Sequence, residues 1–230
     1  METFKKFLVD LQLHGRSEVT QRNYLCIAKK FAEYCDHPIE ETEIDHVREF
    51  LHYLRYQKKL TVGSVNYYHT AIKFLFQVTL DKAWNDWKVP RLRGYKSLPA
   101  VLSQEEVSKL LNCVVNLKHK AILTTIYSGG LRVSEACRLK VGDIDSNNMQ
   151  IFIRQSKGNK DRYTVLSQKT LVLLRSYWRE CGQPKDWLFP GQKAGDHITS
   201  ASVRAFLKDA CKAAGITKAV TVHTLRQYGE

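Results

Sequence analysis

Apolar side chains recur at three- and four-residue intervals through the first 80 or so positions, and the recurrence falls into separate stretches. Phe4, Phe7, Leu8 and Leu11 share one helical face, and Tyr24, Ile27 and Phe31 share another in a helix that Ser17 is placed to cap. Val47, Phe50, Leu51 and Leu54 line a third, and Val65, Tyr68, Ile72, Leu75 and Phe76 line a fourth that begins near Ser64. Four amphipathic helices joined by short polar turns predict a bundle, because each stripe is buried only against the others. Using the stripes to bind a partner would leave them exposed in the free chain.

Between Trp87 and Leu102 the period lapses. Pro90, Arg91, Arg93, Gly94, Lys96 and Pro99 make residues 88–102 a basic, Pro/Gly-punctuated segment, which predicts a linker between a helical domain at 1–87 and a second domain at 103–230. An ordinary surface loop is the plainer alternative. Periodicity then resumes with Ser103-Gln104-Glu105-Glu106, a capping box ahead of Val107, Leu110, Leu111 and Val114. A helix through Ala121 to Tyr127 is stopped by Gly129-Gly130. Residues 149–155 and 162–166 alternate as strands do, with Lys157-Gly158-Asn159-Lys160 as a hairpin tip between them. Helical spacing returns around Leu171–Cys181 and Ser202–Ala214. The expectation is a mainly α chain whose second domain mixes helices with a small antiparallel sheet.

Charge sharpens this division. The formal net charge is +13; residues 1–88 carry 13 Lys and Arg against 12 Asp and Glu, so the excess lies almost entirely in residues 89–230. A basic half of this kind suits a polyanion, since neutralising phosphates releases condensed counterions, although a merely basic protein has the same composition. The six cysteines, Cys26, Cys35, Cys113, Cys137, Cys181 and Cys211, show no C-x-x-C pair and no zinc-ligand spacing with histidine, so they are expected to be reduced, several of them in the core of a cytoplasmic protein. No signal peptide and no membrane span is expected.

The candidate chemistry lies in three separated runs: Gly130-Leu131-Arg132-Val133-Ser134-Glu135, Ser156-Lys157-Gly158-Asn159-Lys160-Asp161-Arg162, and His223-Thr224-Leu225-Arg226. Two arginines, a lysine and a histidine are the donors needed to surround a pentacoordinate phosphate with positive charge and a proton donor. A guanidinium is planar and always protonated, and holds phosphate oxygens with paired hydrogen bonds. Lysine suits a general acid because neighbouring cations lower its pKa toward neutrality. No carboxylate cluster asks for a metal, and no phosphate-binding loop asks for a nucleotide cofactor. Each group has a bland rival: Arg132 and Glu135 as a surface ion pair three residues apart, Lys157 and Lys160 as turn lysines, His223 as a satisfied, partly buried histidine. Arg138, Lys140, Arg154 and Arg162 read as phosphate-positioning or solvated charges.

At these residues the sequence resembles the tyrosine recombinase (phage integrase) family, Xer-type enzymes included. G-L-R-V-S-E is similar to that family's first-arginine motif, S-K-G-N-K-D-R to its lysine-bearing β-hairpin, and H-T-L-R to its H-x-x-R motif. The resemblance implies a four-helix, SAM-like core-binding domain, a basic linker and most of a catalytic domain. By it, Arg132 and Arg226 grip the non-bridging oxygens of the scissile phosphate. Lys157 is the general acid for the leaving 5′-oxygen, with Lys160 its nearest competitor, while His223 assists proton transfer and Glu135 buttresses the arginines. Arg91, Arg93, Lys96, Arg138, Lys140, Arg154, Lys160 and Arg162 are the expected DNA-binding cations. The partner is double-stranded DNA, on which the family assembles as tetramers, and neither metal nor cofactor is implied.

The sequence departs from the pattern after Arg226. The family continues with an apolar helix, a further His or Trp and a nucleophilic Tyr, whereas Gln227-Tyr228-Gly229-Glu230 follows here. Tyr228 is too close to Arg226 to match, so the nucleophile is carried over to no residue, and the expectation is a catalytic domain incomplete at its C-terminus. Two readings follow: a shortened strand-transfer enzyme without its own covalent step, or a non-catalytic DNA-binding protein that occupies recombination sites. A basic helical protein with chance motifs is a third. Residues 1–230 are expected to leave no covalent adduct on nicked duplex DNA. A denaturant-resistant adduct that disappears in Tyr228→Phe would place the nucleophile at Tyr228 after all.

Overall fold

A computed structural model of the chain describes residues 2–94, 100–154 and 160–226. It divides into two compact units, Met1–Ser97 and Leu98–Glu230.

The first unit is built from α1 (Glu2–Leu13), α2 (Glu18–Cys35), α3 (Ile44–His52) and α4 (Val62–Phe74). Phe7, Leu11, Ile27, Phe31, Val47, Phe50, Ile72, Leu75 and Phe76 are buried at its centre, where the Phe31 ring meets Phe50 at 5.2 Å and Phe76 at 6.2 Å. Caps set the starts: the Ser17 hydroxyl accepts from the Thr20 N–H, and the Thr61 hydroxyl from the Ser64 N–H at 3.2 Å. Thr61 starts α4 at Val62, slightly ahead of the expected Ser64. Both α3 and α4 run on into a π-helical turn, Tyr53–Gln57 and Leu75–Thr79, which periodicity does not foretell because one extra residue per turn keeps the apolar side chains inward.

The expected linker begins later than its composition suggests. Val89 is 3% exposed and belongs to the first core. The Asn66 side chain accepts from the Leu92 N–H and donates to the Leu92 carbonyl, both at 2.9 Å, and His69 Nε2 meets the Val89 carbonyl at 2.9 Å. Pro90 and the lysines and arginines made this stretch read as a strap. Paired backbone groups lay its first part along α4 instead.

The second unit contains α5 (Gln104–Asn112), α6 (Leu117–Gly129), α7 (Val133–Cys137), α8 (Gln168–Glu180), α9 (Ser200–Ala213) and α10 (Val222–Arg226). Ser103 and Glu106 form the reciprocal capping box, and Gly130 ends α6 in the left-handed region at φ +59°. Strands β1 (Ile144–Asp145), β2 (Gln150–Ile153) and β3 (Arg162–Val165) form an antiparallel sheet in that order, with Ile151 opposite Thr164 and Ile153 opposite Arg162. At two residues, β1 is too short to show a period. Ile151 and Ile153 point into a core with Leu110, Ile122, Ile126, Leu131, Tyr177, Phe189 and Leu225, and the Tyr177 hydroxyl donates to the Leu188 carbonyl. All six cysteines are free; Cys137 and Cys211 are buried, but Cys26 and Cys181 are exposed rather than in the core.

His69 is expected to couple the first unit's stability to pH. It is 3% exposed, and its Nδ1 has no hydrogen-bond partner among the described residues. Burial pushes its pKa below the ordinary 6.5; the Val89 carbonyl opposes this, Arg91 and Lys73 add to it, and Asp86 offsets it. The unfolded histidine therefore binds its proton at a higher pH than the folded one, so the contribution to stability is complete above about pH 6.5 and declines as pH falls below it. Urea midpoints measured between pH 7.5 and 5.5 are expected to fall, and to fall less in His69→Gln. Equal slopes for the two proteins would refute this origin.

Candidate active site

Four elements of the second unit meet at the short turn from Gly129 to Arg132. After Gly130 reverses the chain, Leu131 is fully buried and pins the turn, leaving Arg132 at the N-cap of α7 with extended backbone. Glu135 lies one turn on. Its Oε2 accepts from the Arg132 backbone N–H at 2.8 Å and its Oε1 from the Arg132 guanidinium at 2.6 Å. The Arg162 guanidinium, at the start of β3, donates to Oε2 at 2.9 Å. The Glu135 side chain is 2% exposed while those of Arg132 and Arg162 are 35% and 33% exposed. A carboxylate so buried is tolerable only when paired and hydrogen-bonded, and here two cations and a backbone donor share it.

The same turn anchors two further elements. The Thr164 hydroxyl donates to the Gly129 carbonyl at 2.8 Å, tying in β3, and Arg226 Nε donates to the Gly130 carbonyl at 2.9 Å, tying in α10. Val222, Thr224 and Leu225 are buried, whereas His223 is exposed one turn before Arg226. Thr221 and Thr224 exchange side-chain and backbone hydrogen bonds that hold the start of α10.

Arg132, Glu135 and Arg226 are thus gathered around one turn, with His223 on the helix that carries Arg226. Lys157 and Lys96 lie outside the described residues. Arg162, expected as a phosphate contact, is committed to Glu135, with part of its guanidinium still open to solvent. Arg154 is bound by Asp143, Lys140 by Asp186 at 2.9 Å, and Arg138 Nε donates to the Ser134 carbonyl. Lys160 is exposed. In the first unit Arg91 donates to the Thr70 hydroxyl, and Arg93 is exposed. Sequence reasoning missed the anchoring carbonyls of Gly129 and Gly130 and the buried Asp143. A glycine pair followed by a buried leucine was the available signal for the first two. Burial raises the pKa of the Cys137 thiol at the end of α7, so it is no ready nucleophile.

Two guanidiniums held by one turn are the kind of donors that clasp an anion with several oxygens. Among the described residues no group of His, Cys, Asp or Glu side chains is arranged to hold a metal ion, and no helix is long and apolar enough to cross a membrane.

The chain belongs to the phage integrase family: the model described as "Phage integrase family" matches residues 100–229, and that of the "Phage integrase, N-terminal SAM-like domain" matches residues 4–86. It is 42% identical over 218 residues to y4qK of Sinorhizobium fredii, which carries an integrase/recombinase name, covering 94% of this chain and 70% of that protein. It is 32% identical over 230 residues to the tyrosine recombinase XerA of Pyrococcus furiosus, covering 98% of this chain and 77% of XerA. Its fold is similar to that of a lambda integrase dimer bound to a COC′ core site, with a TM-score of 0.79 at 17% identity over 99% of this chain and 87% of that one.

Replacing Glu135 by Ala is expected to lower stability by about 2–3 kcal/mol, less than the ~3–5 of a fully buried pair because both guanidiniums are partly solvated. Urea denaturation checks it, and a loss under 1 kcal/mol would mean the shared carboxylate is dispensable.

Proposed function

We propose that the chain acts on duplex DNA as a site-specific recombinase of the integrase type. Arg132 and Arg226 hold the non-bridging oxygens of one phosphate, His223 donates a hydrogen bond to it, and Glu135 fixes Arg132. The observation that carries this reading is the joint anchoring of Arg132 and Arg226 on the Gly129–Arg132 turn. Preorganised donors of this kind are worth roughly 3 kcal/mol each where charge develops in a transition state.

In the reaction, a tyrosine oxygen forms a bond to phosphorus as the bond to the 5′-oxygen breaks, and Lys157 supplies the proton to that oxygen. The phosphotyrosyl bond keeps the energy of the broken linkage, and attack by a 5′-hydroxyl rejoins the strand. The role of Lys157 rests on the resemblance, and the nucleophile is assigned to none of residues 1–230. Arg91, Arg93, Lys96, Arg138, Lys140, Arg154, Lys160 and Arg162 serve as the DNA-positioning cations, Arg162 through Glu135 as well. Fold neighbours described as a lambda integrase dimer at a core site and a tetramer on a Holliday junction support assembly of several protomers on DNA.

Fluorescence anisotropy with a labelled duplex over a range of salt tests the grip. Arg132→Ala and Arg226→Ala, each checked for an unchanged circular dichroism spectrum, are expected to lower the slope of log affinity against log salt by about 0.9 apiece, one phosphate contact each. Unaltered slopes in both would remove them from the DNA interface.

A further inference from the structure

Arg138, Lys140 and Arg154 border a cavity of about 190 Å³ that Trp187 and Ile153 also line. Glu135 and Asp143 line it as well, and both carboxylates are hydrogen-bonded to arginines. Asp143 Oδ1 accepts from Arg154 Nε at 3.0 Å and from its terminal nitrogen at 2.6 Å, while Oδ2 accepts from the Lys140 backbone N–H at 2.9 Å. The Asp143 side chain is 1% exposed and that of Arg154 is 54% exposed. One edge of the guanidinium is therefore held from inside, and its remaining N–H groups face solvent.

The surrounding frame is stiff. The Val141 N–H donates to the Asp186 carbonyl at 2.9 Å and the Leu188 N–H to the Leu139 carbonyl at 2.8 Å, stitching the two walls together. The Trp187 indole N–H donates to the Gly195 carbonyl at 2.9 Å, and Lys140 Nζ lies 4.9 Å from the centre of its ring. The Arg154 guanidinium sits 5.1 Å from the Phe152 ring centre. Side chains locked in this way lose little freedom on binding.

We infer that this cavity is a second anion site, built for one backbone phosphate of duplex DNA other than the one held by Arg132 and Arg226, and that Asp143 is its positioning residue. Three cations converge on a concave surface with an apolar wall, where a fixed charge acts more strongly than on an open surface. Asp186 is paired with Lys140, and Asp161 is the other carboxylate that acts on Arg154 among the described residues. The inference rests on the proposed action on duplex DNA and adds a defined contact to it.

The test uses the full chain and a labelled duplex over a range of salt. Arg154→Ala is expected to lower the salt slope by about 0.9. Asp143→Asn removes a negative charge, so a purely long-range effect would tighten binding. A positioning role predicts weaker binding, roughly threefold or more, and little further loss when Arg154→Ala is added. Tighter or unchanged binding by Asp143→Asn with its fold retained, or an unchanged slope in Arg154→Ala, would overturn the site. If Asp143→Asn does not fold, the Arg154→Ala slope alone decides. Arg132→Ala separates the two ideas: if it lowers the slope and Arg154→Ala does not, only this second site fails, whereas no salt-dependent binding by the unaltered chain would remove both.

Discussion

The buried carboxylate of Glu135 is the constraint on which the second unit's chemistry depends. A carboxylate with a side chain 2% exposed is stabilised there by Arg132 and Arg162, which share it with a backbone N–H. The arrangement fixes Arg132 at both its backbone and its guanidinium, and it ties α7 to β3 across 27 residues of sequence. Gly130 completes the frame, since its left-handed turn aims its carbonyl at Arg226. Positive charge is placed by a negative group that never reaches solvent.

Much of the fold was legible because local rules and burial agree. Ser17, Ser103 and Glu106 cap the helices they were expected to cap, and the apolar stripes of α1 to α4 are the first unit's core. What escaped was set by tertiary contacts. The π-turns after α3 and α4 keep the apolar face inward while changing the turn, and Val89 is held by His69 and Leu92 by Asn66, from a helix 20 and 26 residues earlier. No window of local pattern contains those pairs.

The candidate site divides in the same way. The three motifs were visible as strings, and Arg132 with Glu135 was visible as a pair three residues apart. The string did not disclose that Glu135 has a second guanidinium partner, because Arg162 looked like one more exposed cation on a basic surface. Asp143 was equally silent: its importance comes from burial and from its hold on Arg154, not from any spacing that the sequence displays. Cations were easy to count, whereas the acids that aim them emerged only with the fold.

The crossing of bonds at Gly129–Arg132 also limits how this segment can change. Each residue of α-helix turns the chain by about 100°, so one residue inserted between Arg132 and Glu135 would swing the carboxylate off its arginines. β3 and α10 hang on the Gly129 and Gly130 carbonyls of the same turn, so an insertion between Gly129 and Arg132 would part those anchors from the arginine they support. Substitutions here can be graded, but changes of length cannot, and this stretch should keep its spacing while the loops around it drift.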